Sequence, residues 1–463
     1  MKKNSPSIFA LSTPLGISGI SVVRVSGKNC KSILESVCPS VKFKTRYAHL
    51  AEIRDEKNNF IDKGVVIFLK SPNSFTGEDM IEFQIHGGIF IIKKLLSCLS
   101  QKKNTRAAEP GEFIKRAFMN KKISLIEVEG THRLIKAETK MQALVAQGLI
   151  GGKTKLSCDN WKNKLLNVSA HLDALIDFSE EDEQLQVAKF KEQLEELILE
   201  LEEALKSSEV SEEITSGINI LILGPPNAGK SSLFNLVNQE EKSIVTSIEG
   251  TTRDLISSSL DIRGHKVNLI DSAGLRVSSE AIEKIGIKKI FSKSKSVEKF
   301  IIILSPDSLK SQNVKVLIKL LEIIKHKKIV IVFNKNELKG SSDQEKKWQK
   351  NLKIISKYPS ITTSCVIMKK QHRMYSQFVE FVFKHLIESN EKLYDNVLFS
   401  EVRHLKHISN VLFYLKQAIL HKNSIEIMSE DLRLAIQEIE CISGRIDYEK
   451  KLDFIFTNFC IGK

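Results

Sequence analysis

The sequence predicts a multidomain chain: an α+β N-terminal domain, an all-α helical domain, and an α/β domain inserted in the helical one. A chain of 463 residues is too long for one hydrophobic core. The hydrophobic pattern also changes along the chain, from short β-like runs to helical spacing, then to alternating strands and helices, then to helical spacing again. Two helical blocks that flank an α/β block indicate an insertion. The predicted boundaries are 1–119 (N-terminal domain), 120–213 and 379–463 (helical domain) and 214–378 (insertion).

The composition argues against several classes of protein. Hydrophobic residues make up 42% and charged residues 27%, as in ordinary globular proteins. No apolar run reaches the roughly 20 residues of a membrane-spanning helix. The first apolar stretch is short and broken by Pro14, unlike a signal peptide. Seven cysteines are scattered without a CxxC pair, which argues against a zinc site or a disulfide framework and favours a reducing cytoplasm.

The chain is basic, with a formal net charge of +14 and a pI near 9.2. Such an excess favours a polyanionic partner such as RNA, because neutralised phosphates release counterions. A lysine-rich proteome would give the same excess, and composition leaves both explanations open.

Residues 224–231 read GPPNAGKS and match the phosphate-binding loop pattern GxxxxGK[ST]. The loop follows the strand-like run NILIL and precedes a helical pattern, which is the context that the motif requires. Its backbone N–H groups and the helix N-terminus face phosphates. Lys230 supplies a charge to the β- and γ-phosphates, and the Ser231 hydroxyl is a Mg²⁺ ligand.

Two later segments complete this site. The run VNLIDSAG is an apolar strand that ends in Asp271 and is followed by Gly274. A carboxylate beside the phosphate loop is suited to a water molecule on Mg²⁺. Between the two motifs lies EGTTRD, in which Thr252 can reach Mg²⁺.

The base-recognition element is predicted after the strand IVIVF. Asn334 and Lys335 begin an Asn-Lys-x-Asp type motif that reads guanine, although Glu337 stands in the place of Asp. Glutamate keeps the charge but is one methylene longer, so we expect guanine recognition with softened specificity. Ser364 and Cys365 occupy the position of a second contact to the base.

The residue after the DxxG motif is commonly a glutamine that orients the attacking water. Here it is Leu275, which cannot do so. Glu283 is a carboxylate close downstream, but its spacing alone indicates only a helix-surface glutamate.

The whole chain resembles the MnmE (TrmE) family, GTPases of tRNA wobble-uridine modification. The resemblance rests on TPLGISGISVVRVSG, SPNSFTGEDMIEFQIHGG and EPGEFIKRAFMNKKISL near the N-terminus, on GPPNAGKSS, EGTTRDL and DSAGLR, and on the terminal FCIGK. It implies that the insertion is a Ras-like, P-loop G domain. Departures from the family pattern are Glu337, Ser272 for Thr, Glu249 for a small residue, and Asp453 for Gly.

By this resemblance the N-terminal domain binds a tetrahydrofolate derivative that donates a one-carbon unit. The family's folate contacts fall on Arg24, Glu82, Lys122 and Lys463, all matched in type. A carboxylate suits the donors of the pterin edge, and Arg and Lys suit the glutamate tail. Cys460 matches a family cysteine near the folate, and either a chemical role or simple packing accounts for it.

The resemblance also implies G domains that dimerise across their nucleotide faces around K⁺. The K⁺ ligands would be Asn227, Thr246, Ile248 and Thr251, and the Mg²⁺ ligands Ser231 and Thr252. Glu283 matches the family's water-positioning carboxylate, so the expected catalytic residues are Lys230, Asp271 and Glu283. The expected nucleotide contacts are Asn227, Ala228, Gly229, Lys230, Ser231, Ser232, Thr246, Thr251, Thr252, Asp271, Gly274, Asn334, Lys335, Glu337 and Ser364.

The implied partners are tRNA and the FAD-dependent protein MnmG (GidA), with a homodimer of this chain inside a heterotetramer. Together they would add an aminomethyl-type group at C5 of the wobble uridine. Two alternatives stay open from the residues alone: a ribosome- or RNA-binding GTPase switch, and a degenerate scaffold that binds nucleotide without turnover.

Overall fold

The structure is a computed structural model that describes residues 5–177, 183–243, 256–271, 297–338, 343–388, 399–421 and 424–444, and Gly462. The chain forms two compact units. One is drawn from 1–132, 150–167 and 436–463, and the other from 133–149 and 168–435. None of the helices within the described residues is apolar over a length that would cross a membrane.

The first unit contains a six-stranded sheet. Its strands are β1 Ser7–Leu11, β2 Ser18–Ser26, β3 Ala48–Arg54, β4 Phe60–Leu69, β5 Met80–Gly87 and β6 Thr105–Ala107. Their order is β3-β4-β5-β2-β1-β6, and β1 pairs with β6 in parallel while the other pairs are antiparallel. Three helices accompany the sheet: α1 Cys30–Val37, α2 Ile89–Ser100 and α3 Glu112–Met119.

The two faces of this sheet differ because side chains alternate along each strand. Val23 and Val25 of β2 are fully buried in a core that also contains residues of α1 and α2. Arg24 lies between them on the opposite face, and the antiparallel register sets it directly across from Glu82 of β5. The α+β character predicted for the N-terminal region is confirmed.

Long helices form the predicted helical region. They are α4 Leu125–Lys136, α5 Lys140–Ile150, α6 Lys153–Asp177, α7 Glu183–Ser216, α13 Val402–Leu420 and α14 Ile425–Ser443. Within the second unit, α7 packs along α13. The all-α prediction for the two flanking blocks is confirmed.

The second unit contains a seven-stranded sheet. Its strands are β7 Ile218–Leu223, β8 Lys242–Ser243, β9 Ile256–Ile262, β10 His265–Asp271, β11 Lys299–Leu304, β12 Lys328–Phe333 and β13 Ser360–Thr362. Their order is β13-β12-β11-β7-β10-β9-β8, parallel from β13 to β10 and antiparallel at β9 and β8. The helices are α8 Lys230–Glu240, α9 Ser311–Ile324, α10 Gln344–Asn351, α11 Cys365–Met368 and α12 His372–Val382.

Helices cover both faces of this sheet, which explains its continuous apolar strands. Every residue of β11 is buried, as expected for a parallel strand with two covered faces. Residues of α8 and α12 pack on one face and residues of α9 and α10 on the other. The inserted α/β fold is therefore confirmed. Helix α12 continues past residue 378, the predicted end of the insertion, and the exact boundaries stay predictions.

Candidate functional site

The phosphate loop, residues 224–231, joins β7 to α8 at the carboxyl edge of the parallel strands. Its backbone turns sharply, with φ of +153° at Gly224, +63° at Asn227 and +105° at Gly229. An added Cβ would lie 2.2 Å from the Ile303 carbonyl oxygen at Gly224, and 2.2 Å from Asn334 Nδ2 at Gly229. Both glycines are therefore required by close approach as well as by conformation.

Lys230 begins α8 and folds back over this loop. Its Nζ donates to the carbonyl oxygens of Gly224 at 3.0 Å and Pro225 at 2.9 Å. Burial lowers the pKa of Lys230, and the negative charge of Asp271 opposes that shift. The cation is thus held within the loop, where it can neutralise an anion bound there.

Ser231 and Asp271 meet beside the loop because β7 and β10 are parallel neighbours. Ser231 Oγ donates to Asp271 Oδ2 at 3.0 Å. Asp271 is 2% exposed, whereas Ser231 is exposed. A hydroxyl and a carboxylate oxygen are the hard ligands that Mg²⁺ prefers, so this pair fits the predicted ion.

Asn334 joins the base-recognition segment to the phosphate loop. Its side chain is buried at 2% exposure; Nδ2 donates to the Ala228 carbonyl at 2.9 Å, and Oδ1 accepts from the Cys365 backbone N–H at 3.1 Å. One amide therefore connects the phosphate loop to the segment after β13.

The other base-recognition residues surround Asn334. Lys335 Nζ lies 2.7 Å from Asp307 Oδ2, and the backbone of Lys335 has φ +63°. Glu337 is exposed. The pKa of Cys365 is raised to about 11, mainly by burial; a hydrogen bond with Asn334 opposes the rise and the charge of Glu337 contributes to it. The Glu337 carboxylate thus acts electrostatically on Cys365.

Some of the remaining predicted contacts lie within the described residues and the others lie outside them. Asn227 and Ser232 are exposed, Ala228 is buried, and Ser364 caps α11 by accepting from the Ile367 N–H at 3.1 Å. Outside the described residues lie Thr246, Ile248, Thr251, Thr252, Gly274 and Glu283.

In the first unit, the structure pairs two of the expected folate-site residues, Arg24 and Glu82, and sets a third, Lys122, against the loop before β5. Arg24 Nε lies 2.8 Å from Glu82 Oε1, and the side chains of Arg24 and Glu82 are 25% and 19% exposed. The Arg24 guanidinium lies 6.0 Å from the ring centroid of Phe75, in the loop before β5. The exposed Lys122 reaches Gly77 of the same loop.

The C-terminal tail comes close to this sheet. Ser12 Oγ donates to the Gly462 carbonyl at 3.0 Å, and the neighbouring Leu11 pairs with Val23 of β2, one residue from Arg24. Lys463 and Cys460 lie outside the described residues. Gly462 thus lies beside the loop that follows β1, and the role of the tail stays a prediction.

A buried polar cluster that the sequence did not reveal supports the loop carrying Phe75. Arg116 is 4% exposed and donates to Glu78 at 3.0 Å and to Glu112 at 2.9 Å. Ser26 donates to Glu78 at 2.8 Å and shares a 2.7 Å hydrogen bond with Thr76. Glu112 is an i,i+4 neighbour of Arg116, but Glu78 and the Pro6 carbonyl lie 38 and 110 positions away along the chain, so no local pattern indicates that Arg116 is buried.

Two family models match the chain. The model for the N-terminus of the GTP-binding protein TrmE matches residues 7–122, and the model for the MnmE helical domain matches residues 125–460. Together they cover most of the chain, from residue 7 to residue 460.

Whole-length relatives agree with these models. Among them are proteins named tRNA modification GTPase MnmE from Pelagibacter ubique (36% identical, over 99% of this chain and 100% of that protein) and from the Wolbachia of Culex pipiens (34%, over 100% of both). The protein of that name from Caldicellulosiruptor saccharolyticus is 33% identical over 99% of both chains. With identity above 30% along the full length and both family models matched, this chain belongs to the MnmE family of tRNA modification GTPases.

Proposed function

We propose that this chain hydrolyses GTP to drive the addition of an aminomethyl-type group at C5 of the wobble uridine of tRNA. The main support for this proposal is a group of connected residues in the α/β unit. Lys230 lies within the phosphate loop, the Ser231–Asp271 pair lies beside it, and Asn334 connects the loop to the base-recognition segment. Each element serves a different part of a guanine nucleotide with its Mg²⁺.

The described residues divide the work on the nucleotide. Backbone N–H groups of the phosphate loop and the N-terminus of α8 bind the phosphates. Lys230 neutralises charge on the β- and γ-phosphates, while Ser231 and Asp271 hold Mg²⁺, directly and through water. Mg²⁺ supplies charge neutralisation at the phosphates when bound.

We assign the water-orienting role to Glu283, because it matches the family's water-positioning carboxylate and Leu275 cannot orient water. K⁺ would be held by oxygens of Asn227, Thr246, Ile248 and Thr251 at the interface of two G domains, and would add a positive charge at the transition state. The exposure of Asn227 at the edge of the phosphate loop supports this part of the proposal, since its amide oxygen is available to a cation.

A tetrahydrofolate derivative would bind in the N-terminal domain and supply the one-carbon unit. Arg24 and Glu82 present a cation and a carboxylate together, and Phe75 adds an aromatic face beside them. Arg and Lys suit the glutamate tail of a folate, and a carboxylate suits the donors of a pterin edge. Lys122 and Lys463 complete the proposed set.

The proposal includes the FAD-dependent MnmG (GidA) as partner, a homodimer of this chain within a heterotetramer, and a cytoplasmic location where tRNA is available. FAD chemistry would belong to the partner, because the family resemblance implies that the partner is the FAD protein.

The first experiment compares GTP hydrolysis in KCl and NaCl at equal ionic strength, with ATP as the control substrate. We expect strong stimulation by K⁺ with GTP alone. Glu283→Ala should retain GTP binding and lose hydrolysis, because only water positioning is removed. An equal rate of GTP hydrolysis in KCl and NaCl would exclude the K⁺-dependent mechanism. GTP binding without hydrolysis in the unaltered chain would favour the degenerate scaffold.

The folate site is tested separately by equilibrium binding of 5-formyltetrahydrofolate. Deletion of Lys463 and the substitution Glu82→Gln should each weaken binding, with Lys93→Gln, an exposed lysine of α2, as the control. Unchanged affinity in both variants would exclude this site. Absence of folate binding by the unaltered chain would favour an RNA-binding GTPase switch over a one-carbon enzyme.

A further inference from the structure

The net positive charge of this chain comes from one segment, residues 214–378. Over the whole chain 70 Lys and Arg face 56 Asp and Glu, but residues 214–378 hold 28 of the cations and only 14 of the anions. This segment therefore carries +14, and the remaining 42 cations are balanced by 42 anions. A lysine-rich proteome would raise lysine everywhere, so the imbalance has a local cause.

Much of this charge lies on one surface of the α/β unit. Helices α9 and α10 and the 3₁₀ segment Lys353–Lys357 cover the same face of the sheet through Leu317, Leu321, Trp348 and Ile355. Their outward positions include many lysines, and on α9 also Glu322 and the apolar Val316, Ile318 and Ile323. We call lysine surface the exposed residues Lys315, Lys319, Lys325, Lys350, Lys353 and Lys357.

The lysine surface is not neutralised by the residues that the structure describes. In this region ion pairs are formed by Lys327, Lys335 and Lys346, and none is found for the six lysines within the described ranges. Lys315 and Lys319 stand four residues apart on α9, where like charges destabilise a helix by about 0.2–0.5 kcal/mol. An arrangement that costs stability in the free chain is consistent with a polyanionic partner.

The chemistry of the surface favours the phosphodiester backbone of RNA. Lysine offers a point charge, whereas reading base edges or carboxylates commonly uses the planar fork of arginine. The one tryptophan of these elements, Trp348, is fully buried, whereas membrane-surface helices commonly place aromatic side chains outward. Helix α9, with 14 residues, is about 21 Å long, enough to follow several phosphates of one strand.

We propose that the lysine surface binds the phosphate backbone of the tRNA substrate, independently of sequence, and so holds tRNA on the G domain. This rests on the proposed function for the identity of the RNA. The surface lies on the helices flanking the sheet, separate from the phosphate loop at the strand ends, so tRNA and GTP would bind without competing.

The test is the salt dependence of tRNA binding by the full chain, measured by fluorescence anisotropy between 50 and 300 mM KCl. The triple variant Lys315→Gln/Lys319→Gln/Lys350→Gln removes three charges and keeps side-chain length. The matched control Lys93→Gln/Lys155→Gln/Lys206→Gln removes three exposed helical lysines from the electrically neutral remainder. If each lysine releases about one counterion, the triple variant should lose about 2–3 from the slope of log K against log[salt]. It should also bind about a hundred- to a thousandfold more weakly near 100 mM, and the control should match the unaltered chain.

Equal binding by both variants would overturn the inference. So would loss of binding to phosphatidylglycerol vesicles in the triple variant with tRNA binding intact, because the surface would then be a lipid-headgroup site. Absence of tRNA binding by the unaltered chain would overturn it as well. K⁺-stimulated GTP hydrolysis, measured on the same three proteins, reports the proposed function separately and should be equal in all of them.

Discussion

Replacing Asn334 by Ala should loosen the phosphate loop and weaken GTP binding. The side chain is 2% exposed and satisfies two backbone groups, the Ala228 carbonyl and the Cys365 N–H. Alanine leaves both groups without their partner, and a buried unpaired polar group costs about 1–3 kcal/mol. The second unit should therefore lose about 2–6 kcal/mol of unfolding free energy.

The free energy of GTP binding should change by less than the free energy of unfolding, because only the Ala228 carbonyl belongs to the phosphate loop. A cost of about 1–3 kcal/mol at that carbonyl corresponds to roughly five- to 150-fold in the dissociation constant for GTP. A fluorescent GTP analogue measures this affinity at equilibrium. The stability of the same unit is followed in urea by the fluorescence of the buried Trp348, in a Trp161→Phe background that removes the other tryptophan.

Asn351→Ala is the matched control. This asparagine is exposed, and its Nδ2 donates to the Lys347 carbonyl at 2.8 Å on the surface of α10. Water can replace that bond, so stability should change by no more than about 0.5 kcal/mol and GTP affinity not at all. If Asn334→Ala binds GTP as tightly as the Asn351→Ala control, the buried bridge does not organise the phosphate loop and the reasoning fails.

Three further outcomes are expected. Glu337→Asp should raise the preference for GTP over ITP, because a carboxylate one methylene shorter fits the guanine amino group better; an unchanged ratio of dissociation constants would show that Glu337 does not read the base. Burial raises the pKa of Cys365 to about 11, so its thiol stays protonated at pH 8 and should react with iodoacetamide at a rate that grows about tenfold per pH unit up to that value; fast, pH-independent labelling would contradict this. Burial raises the pKa of Glu112, but hydrogen bonds from Arg106 and from the Glu109 N–H outweigh it, and the net pKa lies below the ordinary 4.5. Glu112 therefore stabilises the first unit above pH 4.5, and this stabilisation is lost as the pH falls through the lowered value; Glu112→Gln should flatten the pH dependence of urea unfolding there, and an identical profile would argue against the linkage.

The features that could be predicted from the sequence are those whose residues lie close together along the chain. The phosphate loop could be located because eight consecutive residues, a preceding strand and a following helix all lie within one short stretch. The parallel sheet was likewise predictable, since β11 and β12 are continuous apolar runs that only a sheet covered on both faces can bury. The family resemblance was predictable for the same reason, because its motifs are contiguous.

Contacts between distant residues were decided by the tertiary structure. The Asn334–Ala228 bond joins residues 106 positions apart, and the Arg24–Glu82 pair depends on the register of β2 against β5. Arg116 shows the limit most clearly. Its charge suggests a surface position, yet it is 4% exposed and donates to Glu78 and to the Pro6 carbonyl, which lie 38 and 110 positions away along the chain. Sequence patterns report propensity and periodicity, which are properties of neighbouring residues. Hydrogen bonds and ion pairs between strands and loops depend on register and packing, and these are fixed only when the whole chain has folded.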